Sequence, residues 1–515
     1  MNKTAQDPIA PIDFAFYSSF LVYQSPLPIS FIAAMNGLGR GPLAGAFTYA
    51  QVGMGDPTAL AVLSDCYPEA SFIGVDPDPS VLERAAALTS KVELKNLSVR
   101  QGPLNGEGLP DCDVITLSRV YSALPQAERL ALVQALTRRL KPGGLLCVQY
   151  SSLPGAASTD MLFTLLRELA GSFDGDARTK LGGAVQRAVE LANGQAFVFR
   201  QFPLAMELLQ RMTQTDPAVS MREVFNTPPH GLYVTEVLRE IESTGLVYAG
   251  NGQLGFNLME IGLPQPLRAG AEAMKTVPAR ELYLDYARNA AARADIYVKP
   301  LDGPARDAAD LLADFHIMRF GTGPDTLRRQ QIAQNTGVDF TAQLYTDLLA
   351  VLSSEPRRIA ELLEEPALRK HARARVLKAI QLLLGTDMAA LARVKTAQQS
   401  APLPEKIRLT SKLNRVLLED SLDNPDAAVF SNPLTGQRLL LPLAQRLSLY
   451  ALLGGDLEVA YAGLEAHGLQ VTGPDNKPAS AAEFKASVLA ELPKFSAQDG
   501  AFLRAIGVIA EADLQ

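Results

Sequence analysis

The first 150 residues alternate short apolar runs with amphipathic stretches, and no other feature of the chain constrains its fold as tightly. Residues 47–53 (FTYAQVG) are rich in β-formers and run into Gly53-Met54-Gly55-Asp56-Pro57. Asp56 suits a helix N-cap and Pro57 the first helical position. A helix is therefore predicted next, with Leu60, Leu63 and Tyr67 at helical spacing. Residues 71–75 (SFIGV) form a buried-strand run that ends on Asp76, and DPSVLERAAALTS reads as a second helix. A weaker strand falls near 92–100, a fourth at 111–118 (DCDVITLS) and a fifth at 145–150 (LLCVQY). The helix over 124–140 is closed by Lys141-Pro142-Gly143-Gly144. Strands that alternate with helices predict an α/β fold, a parallel sheet with helices on both faces.

Such sheets bind ligands beyond the carboxyl ends of their strands. The first strand delivers Gly53 and Gly55, where the missing Cβ lets a ligand approach the backbone. The second delivers Asp76, a carboxylate that can accept both hydroxyls of a ribose. The fourth delivers Ser118, Arg119 and Tyr121, and the fifth Tyr150, Ser151 and Ser152. A lone pair of glycines fits a plain tight turn equally well. The combination of GxGD, an Asp ending strand two, and LKPGG before strand five predicts a nucleotide pocket. A dinucleotide would prefer GxGxxG, and position 58 is Thr.

Composition excludes several alternatives. With 48 Lys and Arg against 55 Asp and Glu, the net charge of −7 argues against a broad nucleic-acid binder. The three cysteines (Cys66, Cys112 and Cys147) and four histidines form no cluster with metal-ligand spacing, so no metal site is expected. Free thiols suit a reducing compartment. The N-terminus lacks an apolar leader segment, and no apolar stretch reaches the ~20 residues of a membrane span. The expectation is a cytoplasmic protein without a membrane span.

The motifs QVGMGDP, FIGVDPDP, DVITLSRVYSALP and LKPGGLLCVQYSSLPG resemble those of class I S-adenosylmethionine-dependent methyltransferases. Residues 16–25, 221–251 and 281–300 are similar to the methyltransferase regulatory-domain family, which includes bacterial lysine methyltransferases of outer-membrane proteins. Together the likeness spans roughly 1–300. It implies a Rossmann-like seven-stranded sheet with its last strand antiparallel, and S-adenosylmethionine as cofactor. Carried onto this chain, it implies cofactor contacts at Tyr23, Gln24, Gln51, Gly53, Gly55, Asp56, Asp76, Pro77, Leu104 and Ser118. Gln51 stands where the family usually has an acidic residue, and Pro103 follows Gly102 where another is usual.

The last two strands are sought further along. The helix pattern over 232–244 leads into 245–250 (GLVYAG), and 294–299 (ADIYVK) is a second strand candidate. Helical insertions are then expected at about 155–230 and 251–293, within a methyltransferase domain covering 1–300. A helical middle domain (301–400) and a small helical C-terminal domain (401–515) follow. Five basic residues between 366 and 378 share their helix with an apolar stripe, which favours a solvated face over an anion-binding patch.

Methyl transfer from a sulfonium is an in-line displacement that needs an unprotonated, aligned nucleophile. Tyr121 and Tyr150 are candidates for an aromatic wall that lowers a lysine acceptor's pKa, or are core aromatics with satisfied hydroxyls. Glu223 either orients the amine or is a surface carboxylate. Three functions remain: methylation of protein lysines (a surface or outer-membrane protein), a small-molecule O- or N-methyltransferase, and a catalytically weakened interaction protein on the same fold.

Overall fold

The computed structural model describes residues 24–512 except 44, 119, 215–219, 222–223, 226–229, 305, 321–337, 339, 354, 394–402, 405, 425–427 and 467–478. Its centre is a seven-stranded sheet in the order β3-β2-β1-β4-β5-β7-β6. The strands are β1 (Thr48–Val52), β2 (Ser71–Asp76), β3 (Leu97–Gln101), β4 (Cys112–Leu117), β5 (Leu140–Ser151), β6 (Val247–Asn251) and β7 (Ala292–Val298). β1 to β5 pair in parallel, while β7 runs antiparallel to both β5 and β6. This is the seven-stranded arrangement with an antiparallel last strand that the resemblance implies. Order reverses between β1 and β4, which makes their carboxyl ends the switch point.

Local chemistry explains the first helices. Asp56 accepts from Thr58 N–H to cap α2 (Pro57–Cys66), and Asp78 accepts from Ser80 N–H to cap α3 (Pro79–Lys91). Both helices begin on proline, whose missing N–H and preset φ suit that position. β5 starts at Leu140, earlier than its apolar run, because the chain pairs with β4 through a register shift between Cys112 and Val114.

Alternation along the strands supplies two cores. Tyr49, Phe72 and Ile296 pack with α1 (Pro26–Met35), α2 and α3. Ala50, Val52 and Tyr297 pack with α4 (Gln126–Arg139) and with Val234, Val237, Leu238 and Ile241 from further along the chain. α1 is apolar around its whole circumference, and nine of its ten residues are buried. It lies between the sheet and the following region, where Leu27, Phe31 and Ala34 join Leu311, Phe315, Leu348 and Leu383.

The insertion after β5 forms a core of its own, built from α5 (Ala157–Ala170), α6 (Ala177–Asn193), α7 (Phe197–Gln201) and α8 (Pro203–Gln214). It returns to the sheet edge at Leu232, which bridges to Ser152. The helix α9 (Val234–Glu242) and α10 (Val277–Arg288) flank β6. Beyond 300 the chain is mostly helical. Its described residues also hold three small sheets that apolar periodicity did not announce: His316–Arg319 with Arg357–Arg358 and Ala389–Ala392, Ile407–Leu409 with Ile509–Glu511, and the hairpin Ala428–Asn432/Gln437–Leu441. Strands of two to five residues are too short for a period-two signal. The basic run is largely neutralised: Lys370 meets Asp347 at 2.9 Å, Arg373 meets Asp310 at 3.2 Å, and Lys378 meets Glu260 at 2.9 Å.

Candidate functional site

The turn after β1 sits at the switch point and is shaped for close approach. Gly53 and Gly55 have φ of +71° and +61°, a region that side chains disfavour. A Cβ on Gly53 would lie 2.2 Å from Val120 Cγ2, whereas one on Gly55 would meet nothing within 4 Å. The first glycine is thus required by packing, and the second faces open space. Asp76 ends β2 beside them. Its Oδ2 accepts from Gly55 N–H at 2.9 Å and its Oδ1 from Asp78 N–H at 3.0 Å. Each carboxylate oxygen keeps a lone pair for a further donor. Asp56 stands in the same turn as the cap of α2, and burial raises its carboxyl above the ordinary value.

A second group of predicted residues converges on Ser118, at the end of β4. Gln24 donates through Nε2 to Ser118 Oγ, and Gln51 Nε2 approaches the same oxygen at 3.5 Å. All three are buried, and Gln51 Oε1 has no hydrogen-bond partner among the described residues. A buried, unpartnered carbonyl oxygen costs free energy unless a donor reaches it. Pro77 is exposed after β2, and Leu104 is half-buried against the core on the α4 face. Tyr23 and Glu223 lie outside the described residues.

Tyr121 and Tyr150 do not offer an open aromatic wall. Both are buried, with ring centroids 6.3 Å apart. The Tyr121 hydroxyl donates to Glu240 Oε2 at 2.6 Å, and Arg129 forks onto the same carboxylate at 2.9 and 2.6 Å. Burial, reinforced by Glu240, pushes the Tyr121 phenol well above its usual value. Burial also opposes the Glu240 charge, but the bonds from Arg129 and Tyr121 outweigh it and hold that carboxyl below its ordinary value. The Tyr150 hydroxyl donates to Asp295 Oδ2 at 2.6 Å. The placement therefore corresponds to the alternative the sequence leaves open, core aromatics with satisfied hydroxyls.

Asp295 belongs to a charged group that sequence reasoning missed. Arg293 on β7, with a side chain 1% exposed, bonds Asp285 Oδ1 at 2.5 Å, Glu281 Oε2 at 2.9 Å and Asp295 Oδ1 at 3.0 Å. One signal was present: an aspartate inside the apolar strand ADIYVK, where a buried charge demands a partner.

The residues at the β1, β2 and β4 ends fit S-adenosylmethionine. Asp76 can accept ribose hydroxyls, Gly55 leaves space beside it, and the orphaned Gln51 oxygen can accept from an ammonium group. Among the described residues no His, Cys, Asp or Glu cluster could hold a metal ion, and no helix is long and apolar enough to cross a membrane.

Comparison with known proteins bears on the same segments. Residues 50–146 match the family described as a methyltransferase domain, and residues 219–299 the family described as a predicted methyltransferase regulatory domain. The chain is 21% identical over 448 residues to uncharacterized protein sll1526 of Synechocystis, covering 85% of each. It is 32% identical over 117 residues to trans-aconitate 2-methyltransferase of Azoarcus, 23% of this chain and 44% of that protein. It spans less than half of that relative. Among solved structures, PKMT2 from Rickettsia typhi in complex with AdoHcy superposes with a TM-score of 0.67 at 17% identity, covering 96% of this chain and 100% of that one.

Proposed function

We propose that this chain, an S-adenosylmethionine-dependent methyltransferase carrying a methyltransferase regulatory domain, methylates lysine side chains of a protein. The observation that carries the reading is how the regulatory segment is built into the catalytic sheet. Residues 219–299 supply β6 and β7, and their chain meets the end of β5 through Leu232 N–H to Ser151 O and Ser152 N–H to Ala291 O, both 2.9 Å. A segment of that size at the sheet's carboxyl edge suits a large acceptor. The whole-length likeness to PKMT2, a protein lysine methyltransferase, supports the same acceptor class.

Bound S-adenosylmethionine supplies an electrophilic methyl on its sulfonium. The chain's own residues do the rest. We assign Asp76 to the ribose hydroxyls, the Gly53–Gly55 turn to backbone contact, and Gln51, with Gln24 and Ser118 behind it, to the ammonium end. The acceptor then approaches from the β4 and β5 side. A lysine must arrive unprotonated, and partial desolvation beside the buried strand ends lowers its pKa. Alignment of two bound partners supplies much of the rate.

Incubation of the enzyme with methyl-labelled S-adenosylmethionine and cell lysate tests the reading. Label on a protein band, localised to lysine by peptide mass spectrometry, is expected. Label confined to small metabolites would reject it in favour of a small-molecule enzyme, the reading favoured by the likeness to trans-aconitate 2-methyltransferase over 117 residues.

A further inference from the structure

We propose that Arg293 is a positioning residue for the methyl acceptor: it pins α10 and β6 to the end of β5 and so fixes the turn Ser151–Gly155 that borders the acceptor side. The proposal rests on the reading above for the acceptor, but the clamp itself stands on geometry. Arg293 lies opposite Tyr150 in the β5–β7 register, one step from the strand's end. Its guanidinium reaches three elements. It takes Glu281 and Asp285 on α10, Asp295 on its own strand, and the Tyr248 hydroxyl on β6 at 3.0 Å. Two of its acceptors reach back to β5: Tyr150 donates to Asp295, and the Ser152 hydroxyl lies 3.4 Å from Asp285 Oδ2.

The turn itself is stitched to the far end of α10. Gly155 N–H donates to Ala290 O at 3.0 Å, and Ala290 N–H donates to Asp285 O at 3.0 Å. A Cβ on Gly155 would stand 2.2 Å from Asn289 O. The turn therefore has no room of its own; where α10 ends, the turn must follow. A planar fork with five donors holds three carboxylates in fixed directions, which an ammonium cannot do. The cradle for the cofactor lies on β1 and β2, across β4 from this clamp. Loosening the clamp should thus change acceptor placement and spare the cofactor.

The test compares Arg293→Lys and Ser152→Ala with the wild type. Arg293→Lys keeps the charge and loses the fork; Ser152→Ala removes one hydroxyl and threatens folding little. Amide exchange is read first, because it needs no acceptor. In both variants the amides at positions 152 and 155 should exchange at least tenfold faster, with Gly53 and Gly55 unchanged. With the protein band labelled by the wild type as acceptor, KM should rise about tenfold in Arg293→Lys and severalfold in Ser152→Ala, with S-adenosylmethionine affinity within twofold. Unchanged exchange at positions 152 and 155, or equal losses in cofactor affinity and acceptor KM, would overturn the assignment. Absence of any labelled band in the wild type would remove the acceptor class proposed above, and amide exchange would still decide the clamp.

Discussion

The glycine turn after β1 and the Arg293 cluster beside β5 serve the same edge of one sheet, yet they are built in opposite ways. The turn is local: Gly53, Gly55, Asp56 and Asp76 lie within 24 residues, and its geometry is held by backbone conformation. The cluster is assembled from side chains of β5, β6, β7 and α10, all of them buried or nearly so. Backbone shaping costs little and tolerates one residue type. Side-chain shaping with one cation among three carboxylates carries a desolvation cost that only complete pairing offsets.

That contrast can be broken by substitution. Arg293→Met should have the largest effect, about 3–5 kcal/mol of stability in urea unfolding, because it takes the shared cation from three buried carboxylates, Glu281 keeping only Arg280 at 3.9 Å among the described residues. Gly53→Ala should cost about 2–4 kcal/mol, from a left-handed φ and the clash with Val120, and should abolish cofactor binding. If Gly53→Ala proves the costlier of the two, the contrast is reversed.

The two regions also differ in their response to acid. Burial pushes Asp285 up to about 6, against the lowering effect of Arg293. The folded protein therefore binds a proton there more tightly than the unfolded chain. Its contribution is fully stabilising below the unfolded value of 3.8 and is lost as pH rises through about 6. Wild type measured relative to Asp285→Asn should lose up to about 3 kcal/mol between pH 4 and pH 6.5. A difference that grows with pH would contradict the assignment. The smallest effect is expected far from both sites. Lys378→Ala breaks a half-exposed pair with Glu260 and should change stability by about 0.5 kcal/mol or less.

The same division governs what could be read in advance. The turn, the Asp56 cap and the ends of β2 and β4 follow from neighbours in sequence, so their signals survive in a single chain. Helices such as Ala177–Asn193 and the strands that became β6 and β7 followed from their apolar spacing. The roles of Tyr121 and Tyr150 did not, because their partners Glu240 and Asp295 lie 119 and 145 residues away. α1 was hidden for another reason. PLPISFIAAM is apolar on every side, so it lacks the one-sided pattern that marks a surface helix, and its burial depends on a region nearly 300 residues later.

The cofactor site requires Asp76 to lie in a cradle with the glycine turn. Calorimetric titration of S-adenosylmethionine into the wild type and into Asp76→Ala tests that directly. Loss of a charge-assisted ribose contact, worth roughly 1.5–3 kcal/mol, predicts saturable binding by the wild type and affinity about 10- to 150-fold weaker in the variant. Equal affinities, or a wild type that takes up no ligand at millimolar concentration, would contradict it.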